Sequence, residues 1–425
     1  MQINRESEKR ILGLVRLHII PFALILYIVA FLDRVNLGYA AIVMNPDLGI
    51  SAELFGVITG IFFIGYLVFE VPSNIIMQRV GARIWIGRIM ISWGLVAMLM
   101  GFVQNPDQLI ALRFLLGVAE AGFFPGMIWY LGTWFPPRYL ARSIALFATG
   151  IVVSNIIGAP LSMYILDTLN WGSIASWRWL FIVEGIPAIL LGVLSLKILK
   201  NSPADAEWLD HDQKLWLIRE LDPGKTNTRS LRLIEILTDW KVLLLSGTYF
   251  SVTVGMYAII FFLPTLSSSF LHDFNMSVIG LLLTIPYIIT LICMFLVSCH
   301  SDQKGERLYH IVILFLIAGA GLTLDQISID PLISLLGITI ALSGIISIIG
   351  PFWSYVLSVL TPDEQPVGVA VINSIGNLGG FVGPVITGYL ITVFKTLDSG
   401  WPVITFILCL GAVMIYLAGK TGKQM

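Results

Sequence analysis

The chain has 425 residues, 57% of them hydrophobic and 12% charged, with a formal net charge of −1. A soluble domain carries about 25% charged residues, so this composition reads as an all-α, polytopic membrane protein packed in lipid. The near-zero charge argues against nucleic acid as a partner.

A spanning helix needs about 20 mostly apolar residues. Twelve such runs follow in chain order: 17–43, 53–77, 84–103, 108–131, 141–167, 178–199, 242–270, 277–299, 308–327, 332–360, 366–393 and 401–419. The first is too long for a signal-peptide core and lacks a small-residue cleavage site, so it is expected to stay as a helix. Cys293, Cys299 and Cys409 all fall inside apolar runs and read as small buried hydrophobes. Connections are short except Lys200–Lys241, which is polar and charged. Within it, over Ala206–Leu221, Trp208, Leu209, Leu215, Trp216 and Leu217 alternate with acids and bases, the pattern of an amphipathic helix on a membrane surface. This loop divides the chain into a six-helix bundle over 1–199, a linker over 200–241 and a second six-helix bundle over 242–425.

Lys and Arg placement sets orientation. One side holds Arg5, Lys9, Arg10, Arg16, Arg79, Arg83, Arg138 and Arg142, and later Lys304, Arg307, Lys420 and Lys423. It also holds the long loop with Lys200, Lys214, Arg219, Lys225, Arg229, Arg232 and Lys241. The other side holds Lys395, with Arg178 at a helix edge. Both termini and the long loop are therefore expected in the cytoplasm. An internal repeat supports the two halves. Gln78-Arg79-Val80-Gly81-Ala82-Arg83 follows the second helix of one half, and Asp302-Gln303-Lys304-Gly305-Glu306-Arg307 the second helix of the other. Both are degenerate D-R-x-G-R-R turns, in which Gly permits the tight reversal.

Four charges sit where water should be absent: Asp33 and Arg34 in the first run, Arg113 and Glu120 in the fourth. Each costs about 2.5–3.5 kcal/mol at mid-bilayer on insertion scales, so such residues usually face a cavity and mark a substrate or proton path. Two positive and two negative charges form a balanced cluster able to take up a proton and an anion together. Adjacent Asp33 and Arg34 point about 100° apart, so one can face a central cavity and the other a neighbouring helix. Arg113 and Glu120 lie two turns apart, roughly 10 Å, too far for a close pair, and each is expected to find a partner on helix 1. Glu70 and Glu184 are further buried-looking acids, read as structural or gating groups.

The pattern resembles the major facilitator superfamily. The resemblance is carried by Leu32-Asp33-Arg34-Val35-Asn36, Gly65–Asn74, Arg113–Gly126 and Trp177–Gly185. Together these look like the anion:cation symporter family, in its tartrate/phthalate/hydroxyphenylacetate-permease-like branch. The resemblance implies twelve helices in two bundles, in a bacterial inner membrane, moving a small organic anion with a proton by alternating access. It implies Glu120 and Asp33 as proton-coupling acids, and Arg34 and Arg113 as anion ligands. Guanidinium is always charged and grips carboxylate in a fork. Asp33 is the counter-charge of Arg34 or a proton site. The bland alternative for all four is a structural ion-pair network.

By the same resemblance Tyr66, Trp353 and Asn373 match substrate-contacting positions of sugar-acid relatives. Each could equally be a packing aromatic or an interhelical hydrogen bond. Ile151 and Phe31 stand where those relatives carry a polar amide and a tyrosine, which favours an aromatic or simple carboxylate over a polyhydroxy acid. Rival readings are the same fold as uniporter, exchanger or sodium-coupled carrier, or a transporter-like sensor. The chain carries no H-E-x-x-H, G-x-S-x-G, Walker A or Cys/His metal motif, so no enzyme, cofactor or metal is expected. Monomer is the default state.

Overall fold

The computed structural model describes residues 5–221, 236, 238–328, 330–361 and 364–421. Lys225, Arg229, Arg232 and Lys423 lie outside these. Among the described residues twelve helices are long and apolar enough to cross a membrane. Helices 1 to 6 span Glu6–Leu48, Ala52–Val80, Ala82–Met100, Pro106–Gly132, Arg138–Thr168 and Ser176–Ile198. Helices 7 to 12 span Trp240–Phe270, Met276–Lys304, Leu308–Ile327, Pro331–Val359, Val367–Phe394 and Trp401–Lys420. Lipid offers no partner for a free backbone amide, which is why each apolar run closes on itself as a helix.

Four returning helices start on side-chain caps at the end away from the basic loops. Ser51 accepts from the Leu54 amide at 3.2 Å, Asn105 from Gln108 at 3.0 Å, Asn275 from Val278 at 2.9 Å and Asp330 from Leu332 at 2.8 Å. Each cap satisfies a backbone donor that the first turn leaves free. On the opposite side the two repeat turns both pass through left-hand-side backbone, Gly81 at φ 94° and Gly305 at φ 62°. In the second copy Glu306 accepts from the Tyr309 amide at 2.7 Å and meets the His310 ring at 2.7 Å. Burial pushes the Glu306 carboxyl up, but these bonds outweigh it and hold it below the usual range.

The linker differs in detail from the expectation. Its helix covers His211–Leu221 and not the whole of Ala206–Leu221. Ser202 and Asp205 cap a short turn instead, and Trp208 stacks on His18 of helix 1 and on Trp134, just past the end of helix 4. The linker therefore packs on the first bundle through an aromatic stack that periodicity does not reveal.

Packing between the bundles concentrates at the end away from the basic loops. A Cβ on Gly38 of helix 1 would lie 3.0 Å from the Phe261 carbonyl oxygen of helix 7. Gly56 of helix 2 meets the Pro384 backbone of helix 11, and Gly388 of helix 11 meets the Ala52 carbonyl. The Glu53 amide donates to Thr392 at 3.0 Å, and Gly280 of helix 8 packs against Ala159 and Met163 of helix 5. Glycines at these contacts let backbones approach closely, as in membrane helix pairs generally. The divide between bundles thus faces the basic-loop side.

Candidate functional site

Helix 1 runs unbroken through Asp33 and Arg34, and their side chains part as helical geometry requires. Arg34 turns to the divide. Its guanidinium pairs with Glu120 of helix 4 and donates to the Tyr257 hydroxyl of helix 7 at 3.1 Å. The rings of Phe31, Phe62 and Tyr66 lie 5.4, 5.1 and 5.7 Å from its central carbon, within cation–π range. Glu120 is 1% exposed and its Oε2 is unpartnered.

Asp33 turns the other way, into the first bundle, where its Oδ2 accepts from the Trp93 indole at 2.5 Å. It is therefore not the counter-charge of Arg34. Glu120 is, because a carboxylate one helix away can meet the guanidinium head-on while the adjacent residue points elsewhere.

Arg113 corrects a second expectation. It meets no carboxylate on helix 1; all three of its nitrogens are unpartnered, and it is fully buried. Its guanidinium lies 5.1 Å from the Phe62 ring, so Phe62 is shared by Arg113 and Arg34. The expected separation of Arg113 from Glu120 along one helix holds, and the ring takes the place of the missing acid.

Helix 4 is broken immediately after Glu120. Regular helix covers Pro106–Glu120, Ala121 is extended at ψ 130°, Gly122 takes φ 85°, and helix resumes over Phe123–Gly132. Gly122 sits against Ser73 of helix 2, where a Cβ would collide. The break leaves Glu120 at the end of a half-helix, next to backbone groups that no longer bond within it. Upstream, Gly117 and Gly65 bring helices 2 and 4 into backbone contact at Phe62 and Phe114, which fixes the Phe62 ring between the two arginines.

Tyr66 lies on this site. Trp353 and Asn373 do not join the arginine cluster directly. Trp353 belongs to an aromatic group of the second bundle, with Tyr249 at 5.0 Å and Phe352 at 5.3 Å between ring centres. Asn373 of helix 11 reaches across the divide and donates to Glu70 of helix 2 at 3.5 Å. Glu184 stays inside the first bundle, accepting from Ser162 at 2.7 Å.

The family model described as the Major Facilitator Superfamily matches residues 23–384. The chain belongs to the Major Facilitator Superfamily. A protein of Agrobacterium vitis named "Putative tartrate transporter" is 39% identical over 99% of this chain and 98% of its own length. A "Quinolone resistance transporter" of Acinetobacter baumannii is 34% identical over 97% of this chain and 95% of its own. Among solved structures, a bacterial homolog of the human lysosomal transporter Spinster, in an inward-facing and unoccupied conformation, superposes with a TM-score of 0.78. It shares 16% identity over 96% of this chain and 98% of that one, which speaks to fold alone. Members of this superfamily are transporters, not enzymes.

In this superfamily chain, sequence reasoning missed Tyr257, Phe62 and Trp93 as partners of the charged cluster. Tyr257 had a weak signal, a phenol in a membrane-spanning run that also carries Tyr249 and several Ser and Thr residues, since a membrane-buried hydroxyl needs a partner. Phe62 and Trp93 had none beyond being aromatic.

Proposed function

We propose that the chain is a proton-coupled symporter that imports a small organic carboxylate by alternating access between two bundles, 1–199 and 242–425. It would sit in a bacterial inner membrane, as a monomer, with both termini and the 200–241 linker in the cytoplasm, consistent with the basic-loop asymmetry. The observation that carries the proposal is the buried Arg34–Glu120 pair, which reaches the second bundle through Tyr257. The tartrate name of a 39%-identical relative supports the substrate class.

The geometry supplies a cycle. A proton on Glu120 releases Arg34, and the substrate carboxylate takes the vacated place, so the site stays neutral while loaded. Neutrality is what lets the buried cluster move through a low-dielectric barrier. Deprotonation on the cytoplasmic side lets Glu120 reclaim Arg34 and expels the anion. Asp33, held by Trp93, is the second proton-coupling acid. Arg113, with no carboxylate of its own, is the second cation toward the substrate. Tyr66, Trp353 and Asn373 line the remaining walls of the pathway, Asn373 once its bond to Glu70 opens. One proton with one carboxylate moves no net charge, so the pH gradient drives that symport; a second proton on Asp33 adds an electrical part of about 2.3 kcal/mol per charge per 100 mV.

The test is proton influx in proteoliposomes, read by an internal pH dye. Tartrate, phthalate, hydroxyphenylacetate, nicotinate and a sugar acid are added outside in turn. Acidification with one acid and not its neighbours supports symport and names the substrate. Silence across the panel while labelled acid enters rejects the proton. The quinolone-resistance relative favours a second reading, an exchanger working outward. That reading requires internal substrate for any uptake, which the same vesicles reveal.

A further inference from the structure

A groove of about 340 Å³ opens on the outside of the first bundle, between helices 2, 3 and 4. It is separate from the divide that holds Arg34. Its apolar wall includes Phe69, Ile76 and Leu115, which are 40%, 40% and 47% exposed and so face the surroundings of the bundle. Its one charged lining residue is Arg88 of helix 3.

Arg88 lies six residues into its helix, about 9 Å from the basic-loop end. Its guanidinium stacks 4.1 Å over the Trp85 ring and donates to Ser92 at 3.3 Å. Trp85 is itself held by Ser73 at 3.0 Å, so the stack is a fixed platform. The Arg88 Nε is buried and unpartnered, and among the described residues no carboxylate forms an ion pair with this side chain. A cation in a lipid-facing slot with no protein counter-ion is incomplete, because an unpaired charge at that depth is costly.

We propose that this groove binds one anionic phospholipid of the leaflet that holds the basic loops. Its phosphate sits on Arg88 and Ser92, beside Ile76 at the shallow rim, and one acyl chain lies along Phe69 and Leu115, deeper in the slot. Headgroup, cation and apolar slot then match in order of depth. A free phosphate would satisfy Arg88 but leave the slot unfilled, and a zwitterionic lipid would bring its own cation to a site that already has one. The groove ends at Val118 and Ala119, one residue before Glu120 and the break in helix 4. A seated chain therefore packs against the turn that carries the candidate site.

The test is native mass spectrometry of the delipidated full-length protein in detergent, titrated with phosphatidylglycerol or phosphatidylethanolamine. One phosphatidylglycerol should be retained at collision energies that strip phosphatidylethanolamine. Arg88→Gln should lower its apparent affinity tenfold or more, while Arg79→Gln, in the exposed last turn of helix 2 and outside the groove, should leave it unchanged. Val118→Phe, which fills the slot and keeps the cation, should also displace the lipid, and it serves if Arg88→Gln fails to fold. Equal retention of the two lipids, or retention unchanged in both groove variants, overturns the proposal. Binding of inorganic phosphate that competes fully with the lipid would overturn the acyl-chain half and leave an anion site.

Discussion

Replacing Glu120 by Gln removes the counter-charge of Arg34 while keeping the side-chain shape. Arg34 is 11% exposed and keeps the Tyr257 hydroxyl and three aromatic rings, none of which carries negative charge. Breaking a buried ion pair by removing one partner costs about 3–5 kcal/mol, because the remaining charge is left uncompensated. In the proposed cycle that penalty falls on one step, the return of the empty carrier, which needs Arg34 neutralised by Glu120. At 1.36 kcal/mol per decade the return should slow by between about a hundredfold and several thousandfold. The loaded carrier is spared, because substrate carboxylate supplies the missing charge. Glu120→Gln should therefore lose net uptake but keep exchange of labelled for unlabelled substrate, and it should bind substrate with no pH dependence from residue 120. The assay is paired net uptake and counterflow in the same proteoliposomes with an inward pH gradient. Net uptake within threefold of wild type would falsify the coupling role of Glu120. Loss of exchange together with net uptake, in protein that still elutes as a folded species, would refute the argument that substrate replaces the acid.

Four further outcomes follow from the same contacts. Arg113→Leu should leave thermal stability in detergent unchanged or raised, since a buried guanidinium without a carboxylate is removed, yet abolish uptake; a fall in stability of more than about 2 kcal/mol would mark it as structural. Glu53→Cys with Thr392→Cys, joined by a short crosslinker, should arrest uptake reversibly, because these residues meet where the bundles close; undiminished uptake after complete crosslinking would rule out opening at that end. Gly117→Val should destabilise the fold by about 1–3 kcal/mol, since a Cβ there meets the Phe62 carbonyl of helix 2, measurable as a lower melting temperature. Glu306, whose carboxyl is held low, contributes stability above its unfolded pKa of about 4.3 that is lost as pH falls through its lower folded value; Glu306→Gln should therefore melt below wild type at pH 7, and the gap should narrow as pH falls below the unfolded value.

The twelve helices and the two-half plan could be read from the sequence because the physics is local. A run of apolar residues in lipid has one way to satisfy its backbone, and Lys and Arg at its ends mark the same side each time. The cost of a charge in the bilayer likewise made Asp33, Arg34, Arg113 and Glu120 visible before any contact was known. The seven residues singled out did not form one site, however. Tyr66 joined Arg34 and Glu120, whereas Asn373 took Glu70 and Trp353 stacked within its own bundle.

What the sequence determined by itself was which residues place charge where it is costly; who partners whom belongs to the tertiary structure. Arg34 is adjacent to one acid yet pairs with another 86 positions away, and its second hydrogen bond reaches a hydroxyl 223 positions away on the other bundle. Helical rotation sends Asp33 to Trp93, and a shared aromatic ring leaves Arg113 without an acid. The break after Glu120 required Ser73 of helix 2 pressed against Gly122. These outcomes depend on distances between helices, and hydropathy along a single helix carries no information about its neighbour.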